Sequence, residues 1–165
     1  MSIVTFQGNE LNIMGNFPAE GDAAPSFVLC ADDLSDITLA DFSGKKLILN
    51  IFPSIDTPVC ANSVRAFNEI AGSQENTTVL CVSADLPFAA GRFCGAEGIE
   101  NVKMASLFRS ECFATDYGVA ISEGPLRGLA TRAVIVINEK GTVVYSERVS
   151  EVIEEPSYGA ALNAL

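Results

Sequence analysis

Lys46-Leu47-Ile48-Leu49-Asn50-Ile51-Phe52 is nearly all apolar, and Pro53 ends the run. Apolar residues without alternation fit a strand covered on both faces of a sheet. Two similar runs follow, Thr77 to Ser83 and Arg132 to Ile137. Helical stretches are expected between them at 58–72, 87–95 and 111–118, with a weaker strand at Val102 to Ser106. Upstream, Ile3 to Phe6 and Leu11 to Met14 alternate around Gln7-Gly8-Asn9-Glu10, which reads as a β-hairpin. Ser26 to Ala31 and Asp36 to Leu39 read as two further strands. Downstream, Asn138-Glu139-Lys140-Gly141 turns the chain into Thr142 to Val149. Tyr158, Ala161, Leu162 and Leu165 then carry the spacing of a final amphipathic helix. Strand, helix, strand, helix, hairpin and helix together predict a three-layer α/β/α sandwich preceded by an N-terminal β-hairpin.

The chain has 165 residues, 48% of them hydrophobic and 19% charged, which suits one domain over 1–165 with a real core. No apolar run is long enough to span a bilayer. Met1 to Phe6 lack the basic start and apolar block of a secretory signal, so a cytoplasmic location is expected. Ten basic against twenty-one acidic residues give a net charge of −11, which repels nucleic acid and anionic lipid. Neither is expected as a partner.

There is no histidine. Cys-His and Ser-His-Asp catalysis are thereby excluded, as is every metal site that uses imidazole. No cofactor or metal is expected. Five cysteines stand at 30, 60, 81, 94 and 112, with no C-x-x-C pair. A zinc ribbon or a thioredoxin-type dithiol is disfavoured on that spacing.

In open α/β sheets functional groups collect beyond the carboxyl ends of parallel strands, where Pro53 to Cys60 falls. Thr57 is a good N-cap and Pro58 then lies at N1, which puts Cys60 at N3. Partial positive charge and unpaired N–H donors at a helix N-terminus favour thiolate over thiol. The Thr57 hydroxyl lies within a turn, able to donate to sulfur or to an approaching oxygen. Without imidazole, further activation must come from a cation; Arg132 and Arg65 are the candidates. Cys60, Val64, Phe67 and Ala71 also form a core-facing stripe, on which Cys60 reads equally as a small buried hydrophobe.

Cys94 follows a helical Phe88 to Phe93, with Gly95 as the expected C-cap. A helix C-terminus opposes thiolate, so Cys94 makes a poor first nucleophile and an acceptable second one. It lies about 10 Å along its helix from Pro87, at ~1.5 Å per residue. Since a disulfide needs Cα atoms roughly 4.4–6.8 Å apart, one or both helices must partly unwind for Cys60 and Cys94 to join. Cys30 and Cys81 read as core residues, and Cys112 as a bystander or a second resolving thiol.

Phe52-Pro53-Ser54-Ile55-Asp56-Thr57-Pro58-Val59-Cys60 contains P-x-x-x-T-x-x-C and resembles the peroxiredoxin family. With Asn50-Ile51 before it, the segment is similar to the thiol peroxidase branch, the atypical two-cysteine peroxiredoxins. Ser83-Ala84-Asp85-Leu86-Pro87 through Gly98 and Tyr117-Gly118-Val119-Ala120-Ile121 match that branch too, and the likeness covers essentially the whole chain. The resemblance implies a thioredoxin-like fold, Cys60 as peroxidatic cysteine and Cys94 as resolving cysteine in one chain. It further implies that Thr57 and Arg132 orient the peroxide and stabilise the thiolate, while Pro53 shields the sulfur. Peroxides are then the substrates, thioredoxin the reductant, antioxidant defence the role and a homodimer the assembly. The apolar Phe52, Val59, Phe88, Phe93 and Leu129 are compatible with alkyl hydroperoxides. A redox sensor using the same cysteines is the alternative, with a protein disulfide oxidoreductase and a non-catalytic interaction domain behind it.

Overall fold

The computed structural model describes residues 2–165; Met1, the first residue of the alternating start, lies outside them. Lys46–Ile51 is strand β5, third in a seven-stranded sheet of order β10 (Val143–Arg148), β9 (Ala133–Ile137), β5, β6 (Thr77–Ser83), β7 (Lys103–Ser106), β3 (Val28–Ala31) and β4 (Asp36–Thr38). Its neighbours are β6, parallel, and β9, antiparallel. β7 continues the parallel set, while β3, β4 and β10 are antiparallel additions.

Both faces of the central strands are covered, as the unalternating runs require. Leu47, Leu49 and Ile51 point into one core with Leu80, Val82, Ile135 and Ile137. Ile48 points into the other with Val79, Cys81, Val134 and Val136. Burial of each such aliphatic side chain contributes roughly 1.5–3 kcal/mol.

Helices α1 (Pro58–Ala71), α2 (Pro87–Glu97) and α4 (Tyr158–Asn163) supply Cys60, Val64, Phe67, Ala90, Phe93 and Ala161 to the Ile48 side. The opposite layer is thinner. It consists of one turn of helix, α3 (Phe113–Asp116), a 3-10 turn at Leu39–Phe42 and connecting loops. The helix expected over 111–118 shrinks to four residues because Gly118 turns to a positive φ of 63°. Phe113 and Tyr117 stack there at 4.7 Å, and the Tyr117 hydroxyl donates to the Pro25 carbonyl at 2.6 Å.

The N-terminal hairpin pairs β1 (Ser2–Phe6) with β2 (Asn9–Met14). Its turn is Gln7-Gly8 alone, at φ of 51° and 80°, the primed two-residue geometry that suits strand twist. A two-residue strand, β8 (Ala120–Ile121), extends it to three strands. Val4, Leu11, Ile13, Ile121 and Val152 form its separate small core.

Gly118 is sterically fixed as well, because a Cβ there would run into the backbone of Asn16 and Phe17. Gly118→Ala is expected to cost on the order of 2–4 kcal/mol, seen as a fall in the thermal midpoint.

Candidate active site

Pro53 closes β5, and Thr57 enters α1 in extended conformation (φ −103°, ψ 145°) with Pro58 at the first helical position. Cys60 therefore sits in the first turn, as the cap and proline predict. The Thr57 hydroxyl does not cap the helix. It donates to the Ser54 carbonyl at 3.0 Å, and the Thr57 N–H reaches the same oxygen at 3.2 Å. With its proton directed at the Ser54 carbonyl, the Thr57 hydroxyl oxygen is left as an acceptor. Donation to sulfur or to an approaching oxygen is expected from the sequence, and no donation from it to the sulfur is present among the described residues.

The loop is held from a neighbouring strand. The Asp85 carboxylate, just past β6, accepts from the Ser54 hydroxyl, the Ile55 N–H and the Ser83 hydroxyl, each at 2.7 Å. Beneath the helix, Ser63 donates to the Cys60 carbonyl at 2.7 Å and accepts from Asn50 Nδ2 at 3.2 Å. Asn50, Ser63 and Cys60 are all fully buried. Sequence reasoning missed Asp85 and Ser63, although an acid directly after a buried strand was a usable signal.

Arg132 separates itself from ordinary surface arginines by its burial, at 1% exposure. Its Nη2 donates to Cys60 Sγ at 3.0 Å, and its Nε donates to the Val152 carbonyl at 2.9 Å. Nη1 is buried without a hydrogen-bond partner among the described residues. Among the described residues no carboxylate forms an ion pair with it. A guanidinium held by a neutral carbonyl keeps its full charge for the sulfur and for whatever meets Nη1. Arg65, the other candidate cation, is engaged elsewhere: it pairs bidentately with Glu97 at 3.1 Å and lies over the Phe93 ring.

Cys94 is half-buried in the last turn of α2, which runs on to Glu97. Gly98 at φ 66°, not Gly95, is the cap. The glycine nearest Cys94 is helical because the chain needs a left-handed residue only where α2 ends. The Cys94 carbonyl accepts from Gly98 and Ile99, and burial pushes the Cys94 thiol up, with Asp32 adding to the effect. A thiol so placed is a weaker first nucleophile than one at a helix N-terminus. Both Cys60 and Cys94 pack on the same core, and both are free thiols.

Cys30 and Cys81 are fully buried in β3 and β6, and burial pushes the Cys81 thiol up to about 12. Cys112 is exposed at the start of α3. Of the apolar residues read near the site, Phe52 and Phe93 are buried in the α1–α2 core, while Phe88 is 69% exposed and Leu129 packs against the hairpin. No helix among the described residues is long and apolar enough to cross a membrane.

Comparison with known proteins bears directly on this geometry. The Redoxin family model matches residues 19–162. Thiol peroxidases of Mycobacterium bovis and Mycobacterium tuberculosis are each 54% identical, over 100% of this chain and 99% of theirs. Among solved structures, a peroxiredoxin-like protein from Aquifex aeolicus superposes with a TM-score of 0.93 at 39% identity, covering 99% of this chain and 95% of its own. A thiol peroxidase from Chromobacterium violaceum gives 0.89 at 28% identity, covering 96% and 91%. With a buried thiol at a helix N-terminus and matches of this extent, the chain belongs to the Redoxin family and, within it, to the thiol peroxidases of the peroxiredoxin group, enzymes of thiol-based peroxide reduction.

Proposed function

We propose that Cys60 is the peroxidatic residue and Cys94 the resolving residue of this peroxidase. The observation that carries the reading is the contact of 3.0 Å between Arg132 Nη2 and Cys60 Sγ, inside a core. A cation donating to sulfur there stabilises negative charge on it far better than it does in water.

Cys60 thiolate attacks the terminal oxygen of a hydroperoxide. The S–O bond forms as the O–O bond breaks, and the peroxide's own O–H proton passes to the departing oxygen, which leaves as water or alcohol. The sulfenate formed takes a proton from solvent to become the sulfenic acid. Arg132 Nη1 is placed to donate to an oxygen of the bound peroxide, and Thr57 Oγ1, whose proton goes to Ser54, accepts from the peroxide O–H. Pro53 closes the sulfur off from bulk water. Cys94 then attacks the Cys60 sulfenic sulfur, forming S–S and expelling water. Because Cys60 is fully buried and Cys94 is tied into the last turn of α2, local unwinding of α1 or α2 precedes that bond. An external dithiol, for which thioredoxin is the candidate, restores both thiols by exchange. No metal or organic cofactor takes part.

The working form in this reading is a homodimer of single-domain chains in a reducing cytoplasm, serving antioxidant defence. Hydrogen peroxide and alkyl hydroperoxides are the substrates. Cys94→Ser is expected to consume one equivalent of peroxide and then stall with thioredoxin and its reductase, measured as NADPH oxidation. Sustained turnover by that variant contradicts the pairing. Steady turnover by the unmodified chain in the same assay separates a peroxidase from a redox sensor, which cycles slowly.

A further inference from the structure

Arg132 is oriented by an element that the reaction itself never touches. Its Nε hydrogen bond goes to the Val152 carbonyl, and its own carbonyl accepts from Val149 N–H at 3.0 Å. The segment 149–152 therefore grips Arg132 at backbone and side chain alike, and it is itself held by the N-terminal hairpin. Thr5 N–H donates to the Ser150 carbonyl at 2.7 Å and Val152 N–H to the Thr5 carbonyl at 2.8 Å. The Val152 side chain, 2% exposed, is buried among Val4, Leu11 and Ile13 of that hairpin.

One side chain ties the two pieces together. The Glu151 carboxylate accepts from the Thr5 hydroxyl at 2.7 Å and from the turn amides of Gln7 at 3.0 Å and Gly8 at 3.2 Å. It also accepts from Ile153 N–H at 3.4 Å, so it braces both flanks of Val152. Burial is the largest single influence on this carboxyl and works to raise it, but the donors from Thr5, Gly8, Gln7 and Ile153 together outweigh it and hold the group below its ordinary value.

We propose that Glu151 is a positioning residue for the peroxidase reaction, locking the Gln7-Gly8 turn to residues 150–153 so that the Val152 carbonyl aims the Arg132 guanidinium at Cys60. The hairpin is on this view part of the catalytic support. Arginine has a long flexible side chain, and a displacement of about 1 Å at a reacting group can cost on the order of a hundredfold in rate. A neutral carbonyl, unlike a carboxylate, also leaves the positive charge undiminished. The inference rests on the roles proposed above for Cys60 and Arg132.

The test is a double-mutant cycle on the second-order rate of Cys60 oxidation by hydrogen peroxide. With no tryptophan in the chain, the rate is read by competition against a haem peroxidase. Glu151→Ala is expected to slow oxidation about tenfold in the otherwise unchanged protein. In an Arg132→Met background the same change is expected to do nothing, since there is no guanidinium left to aim. Glu151→Gln, which keeps one oxygen towards Gln7 and Ile153, recovers most of the rate. If Glu151→Ala fails to fold, Thr5→Val replaces it in the cycle; it removes one donor to the carboxylate and leaves the backbone pairing intact. An equal slowing in both backgrounds, or no slowing in either, overturns the inference. A rate unaffected by Arg132→Met alone sinks the reading of the site instead, and the two failures are thereby told apart.

Discussion

Cys60→Ser is expected to abolish peroxide consumption, with a fall of at least about a thousandfold. The expectation follows from what remains when the sulfur is gone. Cys30 and Cys81 are sealed in strands, and the Cys81 thiol is pushed up to about 12 by burial. The Cys94 thiol is pushed up as well, and it sits at the negative end of α2. Cys112 is exposed, but no cation forms a hydrogen bond or ion pair with it among the described residues. Serine at position 60 is nearly isosteric and can still accept from Arg132, so the fold should persist. The measurement is peroxide loss under thioredoxin turnover, with the thermal midpoint recorded beside it. Residual turnover above about a tenth of one per cent points to a different sulfur.

The second large effect concerns Arg132, whose activity and stability are expected to move in different directions. Removing one preorganised donor from a reacting centre costs about 10²–10³ in rate, and Arg132→Met should lose that much in peroxide oxidation of Cys60. Stability is another matter. The guanidinium is 1% exposed, and among the described residues one of its nitrogens has no partner and no carboxylate pairs with it. Burying a cation costs several kcal/mol even after relaxation, and no uncompensated charge is left behind when it goes, because the Cys60 sulfur can keep its proton once the guanidinium is absent. The thermal midpoint of Arg132→Met should therefore equal or exceed that of the parent. A variant that melts early yet keeps its peroxide rate would show Arg132 to be structural.

Much of this site was readable from residue types. Thr57-Pro58 announced the helix start and so placed Cys60 in the first turn. The absence of histidine forced attention to arginine, and Arg132 stands at the start of a buried run, where only burial distinguishes it from a solvated strand-end charge. The rest depended on partners far apart in the chain. Nothing local tells Glu151 from the exposed acids around it, because its donors come from Thr5, Gln7 and Gly8. Arg65 looked equivalent to Arg132 until α2 presented Glu97 to it. The end of α2 is read at Gly95 but lies at Gly98, because two glycines fall within one turn and only the second takes the left-handed conformation. The two-residue β8 was invisible, since it is too short for any periodicity.

The sulfur that meets peroxide and the sulfur that resolves it can be read together by peptide mapping. One equivalent of hydrogen peroxide is added to the fully reduced protein, free thiols are capped, and the digest is analysed by mass spectrometry. A single new cross-link between the peptides carrying Cys60 and Cys94, with Cys30, Cys81 and Cys112 still alkylated, is the result expected. A bond that leaves out Cys60, or oxidation confined to Cys112, would contradict the assignment.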